Sequence, residues 1–406
     1  MINQSESLFS KDALERYSEI LIWAVETARQ KTFAPEDSIL IQGGLLGMPL
    51  IKSIHKILLI KKMNPIVKIQ VPSDLEQDFY EYANDHQLAY IPFGEETLMN
   101  CIQGSINVRA PDALTHLSHI DGDKLNIVTR KRSILKRIMV LRQRKKECSW
   151  TLTSFPTAAR AENTNMTLQT YADKVKQACF LDHPQALSMW KDIYEQILDT
   201  RQWLTALNIS HLHIESKEMD LRLSPGENRK WLGLSGRNIP SFEIFTSPDW
   251  RTVEGTYFSN QLAYVNGNKV KNIRLSFSKG NIQKAEAEIG NRFLQKSLET
   301  DVGASRVGEF SLTDKRFSKI DTYMADILYD ENYGGKDGNC HIALGNAFEN
   351  AYNGNIADLS AEKKAVLGLN SSALHWDIIN TEPKTVTAIL PSGKKQVIYE
   401  NGIFLK

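Results

Sequence analysis

The hydrophobic repeat of this chain changes period near residue 205, and that change restricts the fold more than any other feature. Before it, short apolar runs alternate with stretches of helical spacing. "SILIQGGLLGMPLIKSIHKILLIKK" reads as a strand at 39–41, a glycine turn and a helix, and "NPIVKIQVP" followed by "DLEQDFYEYANDHQ" repeats the pair. Strand, helix, strand, helix in that order builds a parallel α/β layer, because a parallel neighbour is reached only through a crossover. After Ile209, "HLHIESKEMDLRLSP", "GTYFSNQLAYV" and "VKNIRLSFSKG" alternate with period two between Gly, Pro and Asn turns, the pattern of strands. The expected fold is therefore α/β in two domains. Residues 1–205 form an N-terminal α/β domain with a mainly parallel sheet, and residues 206–406 a strand-rich α+β domain that carries the chemistry.

A chain of 406 residues is also too long for one ordinary core. Its first 30 residues read as an amphipathic helix on Leu14, Ile20, Leu21, Ala24 and Ala28, with Ser10 as cap. They lack the basic and apolar regions of a signal peptide. No apolar run approaches the roughly 20 residues that span a bilayer. Cys101, Cys148, Cys179 and Cys340 are scattered without CxxC spacing, as in a reduced, cytoplasmic protein. A net charge of +1 gives no general attraction to nucleic acid or membrane. "RKRSILKRIMVLRQRKK", 130–146, is strongly basic, with Ile134, Leu135, Ile138, Met139 and Leu141 as an apolar stripe. No aromatic stacking residues are interleaved, so it is expected to be a helix with one solvated face, and neither nucleic acid nor membrane is expected as a partner. Gly43, Gly44 and Gly47 are spaced GGxxG rather than GxGxxG, which suits a tight strand-to-helix turn better than a dinucleotide site.

The groups suited to metal chemistry lie in the second half. In "LHWDII", His375 and Asp377 stand two apart in a strand-like run and so face the same way. "DENYGGKDGNCHIALGNAF" contributes Glu331 and His341, "NIPSFEIFTSPDW" contributes Glu243, and "ASRVGEFSLTD" contributes Glu309. If they converge, two imidazoles and four carboxylates suit a two-metal hydrolytic site. If they do not, they are charges on solvated strand faces. His211 and His213 also share one strand face and could bind a metal, but they are expected to be without carboxylate partners and read as surface groups.

Five segments, in order, carry a resemblance. "SFPTAARAENTNMTLQTYADKVKQAC", "NIPSFEIFTSPDWRTVEGTYFSN", "TDVGASRVGEFSLTD", "LYDENYGGKDGNCHIALGNAF" and "LHWDII" resemble the aminopeptidase T / aminopeptidase S family of metal-dependent aminopeptidases. That resemblance implies metal ligation by Glu243, Glu309, Glu331, His341, His375 and Asp377, with Glu331 and His341 brought together by the "YGGKDGN" turn. It further implies two divalent ions (zinc, cobalt or manganese), hydrolysis of the N-terminal bond of short peptides with a free N-terminus, and a homodimer. Glu309 and Glu331 are the candidates for general base, and Cys340 is read as a packing residue. The sequence departs from the family pattern at Phe348, where the family has a tyrosine counted among its active-site residues. Tyr352, four residues on, would share its face if the segment is helical. The alternative expectation is a catalytically weakened or inactive member that binds peptides or metal. "SFE" also stands where a glycine often precedes the first glutamate.

Overall fold

The computed structural model describes residues 8–265 and 267–406, so the first seven residues of the expected N-terminal helix lie outside the described residues. The chain divides into two compact units, residues 1–190 with 235–240, and residues 191–234 with 241–406. Among the described residues no helix is long and apolar enough to cross a membrane.

The first unit is built on four parallel strands, β1 (Ser38–Gly43), β2 (Asn64–Ile69), β3 (Gly104–Arg109) and β4 (Ser149–Ser154), ordered β2-β1-β3-β4. The expected first helix runs Lys11–Arg29, with Ser10 Oγ accepting the Ala13 N–H at 3.2 Å and Tyr17, Ile20, Leu21 and Ala24 buried. At Gly43 a Cβ would meet the Val108 carbonyl oxygen at 2.3 Å, so a neighbouring strand accounts for that glycine.

The basic segment is the expected helix, with a stripe covered only in part. Residues 130–144 lie in the helix Gly122–Arg144, and within the apolar stripe Leu135, Ile138 and Met139 are half-buried while Ile134 and Leu141 are 41% and 47% exposed. The helix is anchored at one end, where Val128, with Leu125 and Ile127, packs on Tyr80 and Leu88, and near the other, where Arg142 donates to the Met99 and Ile102 carbonyls at 2.8 and 2.6 Å. An apolar stripe is legible in sequence, whereas the neighbour that covers it is a matter of packing.

The second unit contains two antiparallel sheets. The strands are β5 (His211–Ser216), β6 (Asp220–Ser224), β7 (Leu232–Gly233), β8 (Glu243–Thr246), β9 (Asp249–Ser259), β10 (Ala263–Val265), β11 (Asn268–Ser278), β12 (Asn281–Ile289), β13 (Val307–Thr313), β14 (Asn339–Gly345), β15 (His375–Asn380), β16 (Lys384–Ile389), β17 (Lys395–Glu400) and β18 (Ile403–Phe404). Nine of them form one sheet, ordered β10-β11-β9-β6-β5-β16-β17-β18 with β12 paired to β11. The other five are ordered β15-β14-β13-β8-β7. Hydroxyls link the two sheets: Tyr257 Oη donates to the Ile378 carbonyl at 2.6 Å, Ser259 Oγ to Ile379 at 2.7 Å, and Tyr399 Oη to Thr313 at 2.7 Å. Every residue of β13 and β14 is buried, so the five-stranded sheet is covered on both faces. Charged side chains on those strands must then find partners within the protein.

Candidate metal centre

Register decides which side chains meet. In the five-stranded sheet Ser311 stands opposite His341 on one side and Phe245 on the other, Thr313 opposite Glu243, and Ala343 opposite both Glu309 and Asp377. Because side chains alternate along a strand, Glu243, Glu309, His341, His375 and Asp377 all rise from one face, across four neighbouring strands. The small side chains of Ser311 and Ala343 between them leave that face room. Cys340 belongs to the opposite face of β14, where burial pushes its thiol up to about 11. It is a packing residue, as expected.

The donor atoms close into two overlapping groups, Glu243–Glu309–His341 and Glu309–His375–Asp377, each with its candidate ligand atoms within 4.8 Å of one another. His341 Nε2 lies 3.4 Å from Glu243 Oε2, 3.6 Å from Glu309 Oε1 and 4.0 Å from Asp377 Oδ1. His375 Nε2 lies 3.5 Å from both Glu309 Oε2 and Asp377 Oδ1. These separations exceed those of ordinary N–H···O bonds. They suit two ligands of one ion, since bonds of about 2.1 Å at a tetrahedral angle put ligand atoms about 3.4 Å apart. Asp377 Oδ1 and His341 Nδ1 are buried and have no hydrogen-bond partner among the described residues. An acceptor oxygen left in that state is what an ion would satisfy, so the donor set fits a divalent metal.

The electrostatics agree. Burial, reinforced by the Glu309 carboxylate, pushes Glu243 up to about 8. Burial and then the Glu243, Asp377 and Glu309 carboxylates hold Glu331 well above the usual carboxyl range. Burial opposes the charged form of His341, yet Glu309, Asp377 and Glu243 outweigh it and lift the imidazole to about 9. His375 is likewise raised, against burial, by Asp377 and Glu309, and burial of Asp377 is outweighed by His375, which holds it below its usual value. The cluster is short of positive charge, and cations compete with protons for the same lone pairs.

Glu331 sits apart from the five. It follows the short helix Ile327–Asp330 and lies outside both donor groups, although it is 7% exposed and close enough to feel three of their carboxylates. The chain after it returns to β14 through Gly335 and Gly338, whose φ values of 41° and 62° are those that favour glycine. His375 is the most open of the six, with 30% of its side chain exposed. Its Nδ1 lies 2.9 Å from the Asn346 carbonyl oxygen. A carbonyl only accepts, so Nδ1 carries a proton and Nε2 is the nitrogen that faces the cluster and would bind an ion. This contact was not legible in sequence, because any residue supplies a main-chain carbonyl.

The ring of Phe348 packs on Phe245 with centroids 5.3 Å apart and on His375 at 4.9 Å, which puts residue 348 at the edge of the centre. Tyr352 corrects an expectation. The intervening residues form a 3-10 turn, Glu349–Ala351, so the one-turn relation of an α-helix does not hold. The Tyr352 side chain packs with Ala347, Leu359, Leu367 and Leu369, and Lys363 Nζ stands 5.1 Å over its ring. His213, expected to lack carboxylates, has Asp220 at 2.9 Å and Glu215 at 3.3 Å.

A buried carboxylate–imidazole cluster on one face of an antiparallel sheet defines a candidate metalloprotein of mixed α/β architecture. Residues 10–404 match the family described as thermophilic metalloprotease (M29), and the chain belongs to that family. Aminopeptidase 2 of Geobacillus stearothermophilus is 28% identical over 272 residues, 62% of this chain and 64% of that protein. Aminopeptidase T of Thermus thermophilus is 27% identical over 242 residues, 57% of each chain. The matched stretches span less than two thirds of these relatives' length. The solved structure titled wild-type AmpT from Thermus thermophilus superposes with a TM-score of 0.80 at 19% identity, over 96% of this chain and 99% of that one. At that identity the likeness speaks for the fold, which is the mixed α/β fold expected.

Proposed function

We propose that the chain is a metal-dependent aminopeptidase that hydrolyses the N-terminal peptide bond of short peptides, using two divalent ions (zinc, cobalt or manganese), with residues 206–406 as its catalytic domain. The observation that carries this reading is the orientation of Glu309. One oxygen faces His341 and the other His375, so a single carboxylate spans two donor groups. Glu243 and His341 would complete one position, and His375 and Asp377 the other. Bound ions of this kind polarise a scissile carbonyl and acidify a water.

Glu331 is assigned to proton transfer, because Glu309 has both oxygens committed while Glu331 lies outside the donor groups. Burial and the neighbouring anions raise its proton affinity, the direction that general-base work calls for. Carboxylates of the cluster would hold the substrate's ammonium group, which would select a free N-terminus. A cytoplasmic homodimer acting on small peptides completes the reading. A monomer mass in sedimentation equilibrium would remove the dimer from it.

The test compares chelated protein with protein reloaded with zinc, cobalt or manganese on unblocked dipeptides and aminoacyl anilides, with N-acetylated substrates as controls. Metal-restored cleavage of the unblocked set alone is expected. Phe348 favours a second reading, a weakened member that binds without turnover, because a phenyl ring offers no hydrogen-bond donor beside His375. Tight metal binding with no cleavage under any loading would select it.

A further inference from the structure

The amide of Asn332 is fully buried at 0% exposure and joins the two segments that deliver Glu243 and Glu331. Its Oδ1 accepts from the main-chain N–H groups of Phe242 and Glu243, the latter at 3.1 Å and 89 residues away in sequence. Its Nδ2 donates to the Leu328 carbonyl at 3.0 Å and toward Glu331 Oε1 at 3.4 Å. Two lone pairs and two hydrogens are the whole capacity of an amide, and all four are engaged. The partners also fix which end is oxygen, since N–H groups need an acceptor and a carbonyl needs a donor. Ser318 Oγ donates to the main-chain carbonyl of Asn332 at 2.5 Å, holding the residue from behind.

We propose that Asn332 is a positioning residue for the metal centre, setting the start of β8, from which Glu243 rises, and the carboxylate of Glu331 relative to one another. The inference rests on the metal-centre reading above. The sheet supplies the lateral spacing of Glu309, His341, His375 and Asp377 through strand pairing. Glu243 stands at the first residue of its strand and Glu331 on a turn, so neither is held by a ladder on both sides. One side chain that bonds both segments replaces that missing constraint. No apolar residue of the same size can do so, because it would leave two buried N–H groups without acceptors. Aspartate would lose the donor and place an anion beside Glu331.

The experiment uses the full chain, stripped of metal, as wild type, Asn332→Ser, Asn332→Ala and Asn380→Ala. Asn380 is the control, being equally buried and bonded to Phe258 and Glu382 but to none of the six residues. Zinc affinity is measured by competition with a chromophoric chelator, and the cooperative melt of the metal-free protein is recorded alongside. Zinc affinity is expected to fall roughly 10–100-fold in the Asn332 variants, the usual cost of losing an outer hydrogen bond to a metal site. Asn380→Ala should lower the melting temperature and leave zinc affinity unchanged. Wild-type affinity in Asn332→Ser, or an equal loss in Asn380→Ala, overturns the inference while leaving the metal centre in place. Loss of the cooperative melt in both Asn332 variants also overturns it, since Asn332 would then hold the fold rather than the ligands. Failure of the wild type to bind zinc, cobalt or manganese rejects the metal-centre reading itself.

Discussion

The ring of Phe348 meets that of His375 nearly edge to face, at 73° with centroids 4.9 Å apart. A hydroxyl added to that ring would bring a donor to the rim of the centre, near its most exposed ligand. Phe348→Tyr is expected to raise kcat/KM on unblocked peptides, by up to roughly 10²–10³-fold if the phenol reaches the developing oxyanion. Steady-state kinetics on metal-reloaded protein checks this, and an unchanged rate would mean that residue 348 only packs against the imidazole.

Glu309→Gln keeps the shape of the bridging side chain and removes its charge. In metal-free protein the Glu309 carboxylate opposes Glu243 but supports the charged forms of His341 and His375, so the opposing effects should leave the variant's metal-free melting temperature close to that of wild type. With metal the variant should melt lower than wild type, and activity should fall with it, because the charge that would join both donor groups is lost. Differential scanning fluorimetry with and without zinc separates the two effects. A variant that melts lower in both states would show that Glu309 is held by contacts unrelated to an ion.

The metal-free protein should lose stability as pH rises. Glu243 goes from an ordinary value of 4.5 to about 8 on folding, and His341 from 6.5 to about 9. In both cases the folded state binds more protons between the two values, so the slope of unfolding free energy against pH is negative there. Stability contributed by these groups is complete below about pH 4.5 for Glu243 and 6.5 for His341, and is lost by about 8 and 9. Asp377, whose folded value is depressed, acts in the opposite sense at acid pH. Urea midpoints across pH 5–9 test the slope, and saturating zinc should flatten it. A metal-free protein that grows more stable toward pH 9 would contradict this account of the cluster.

Gly308 marks the register shift between Val307 and Glu309 that sets Glu309 opposite Ala343. A Cβ there would meet the carbonyl oxygens of both Gly345 and Asn346 at 2.4 Å. Gly308→Ala should cost about 1–3 kcal/mol in urea unfolding. Zinc affinity should fall with it, because the same shift aims the neighbouring glutamate and Asn346 holds His375. An unchanged midpoint would mean that β14 yields to the methyl group.

Much of this was legible along the chain because the rules that generate it are local. A pleated strand sends residues two apart to one face, so "HWD" announced that His375 and Asp377 face the same way. Helical and alternating repeats separated the parallel unit from the antiparallel one, and an ordered series of five segments carried the family resemblance. What a periodic pattern leaves open is its partner. The stripe of the basic helix was visible, yet Ile134 and Leu141 face solvent. Tyr352 would share the face of Phe348 only in a helix, and the segment forms a 3-10 turn that leaves Tyr352 in an apolar cluster.

The sequence by itself determined the alternation of each strand, the turn glycines, and the residue types of the centre, because backbone sterics and side-chain chemistry act over a few residues. Only the tertiary structure decided that β15, β14, β13 and β8 lie side by side in the register that sets Ser311 opposite His341 and Ala343 opposite both Glu309 and Asp377. It alone covers that sheet, turning five scattered polar residues into one largely buried, cation-seeking cluster with Glu331 beside it. Strand order and register are settled by packing between segments far apart in the chain, and a shift of one residue would send the same carboxylates and imidazoles to the opposite face.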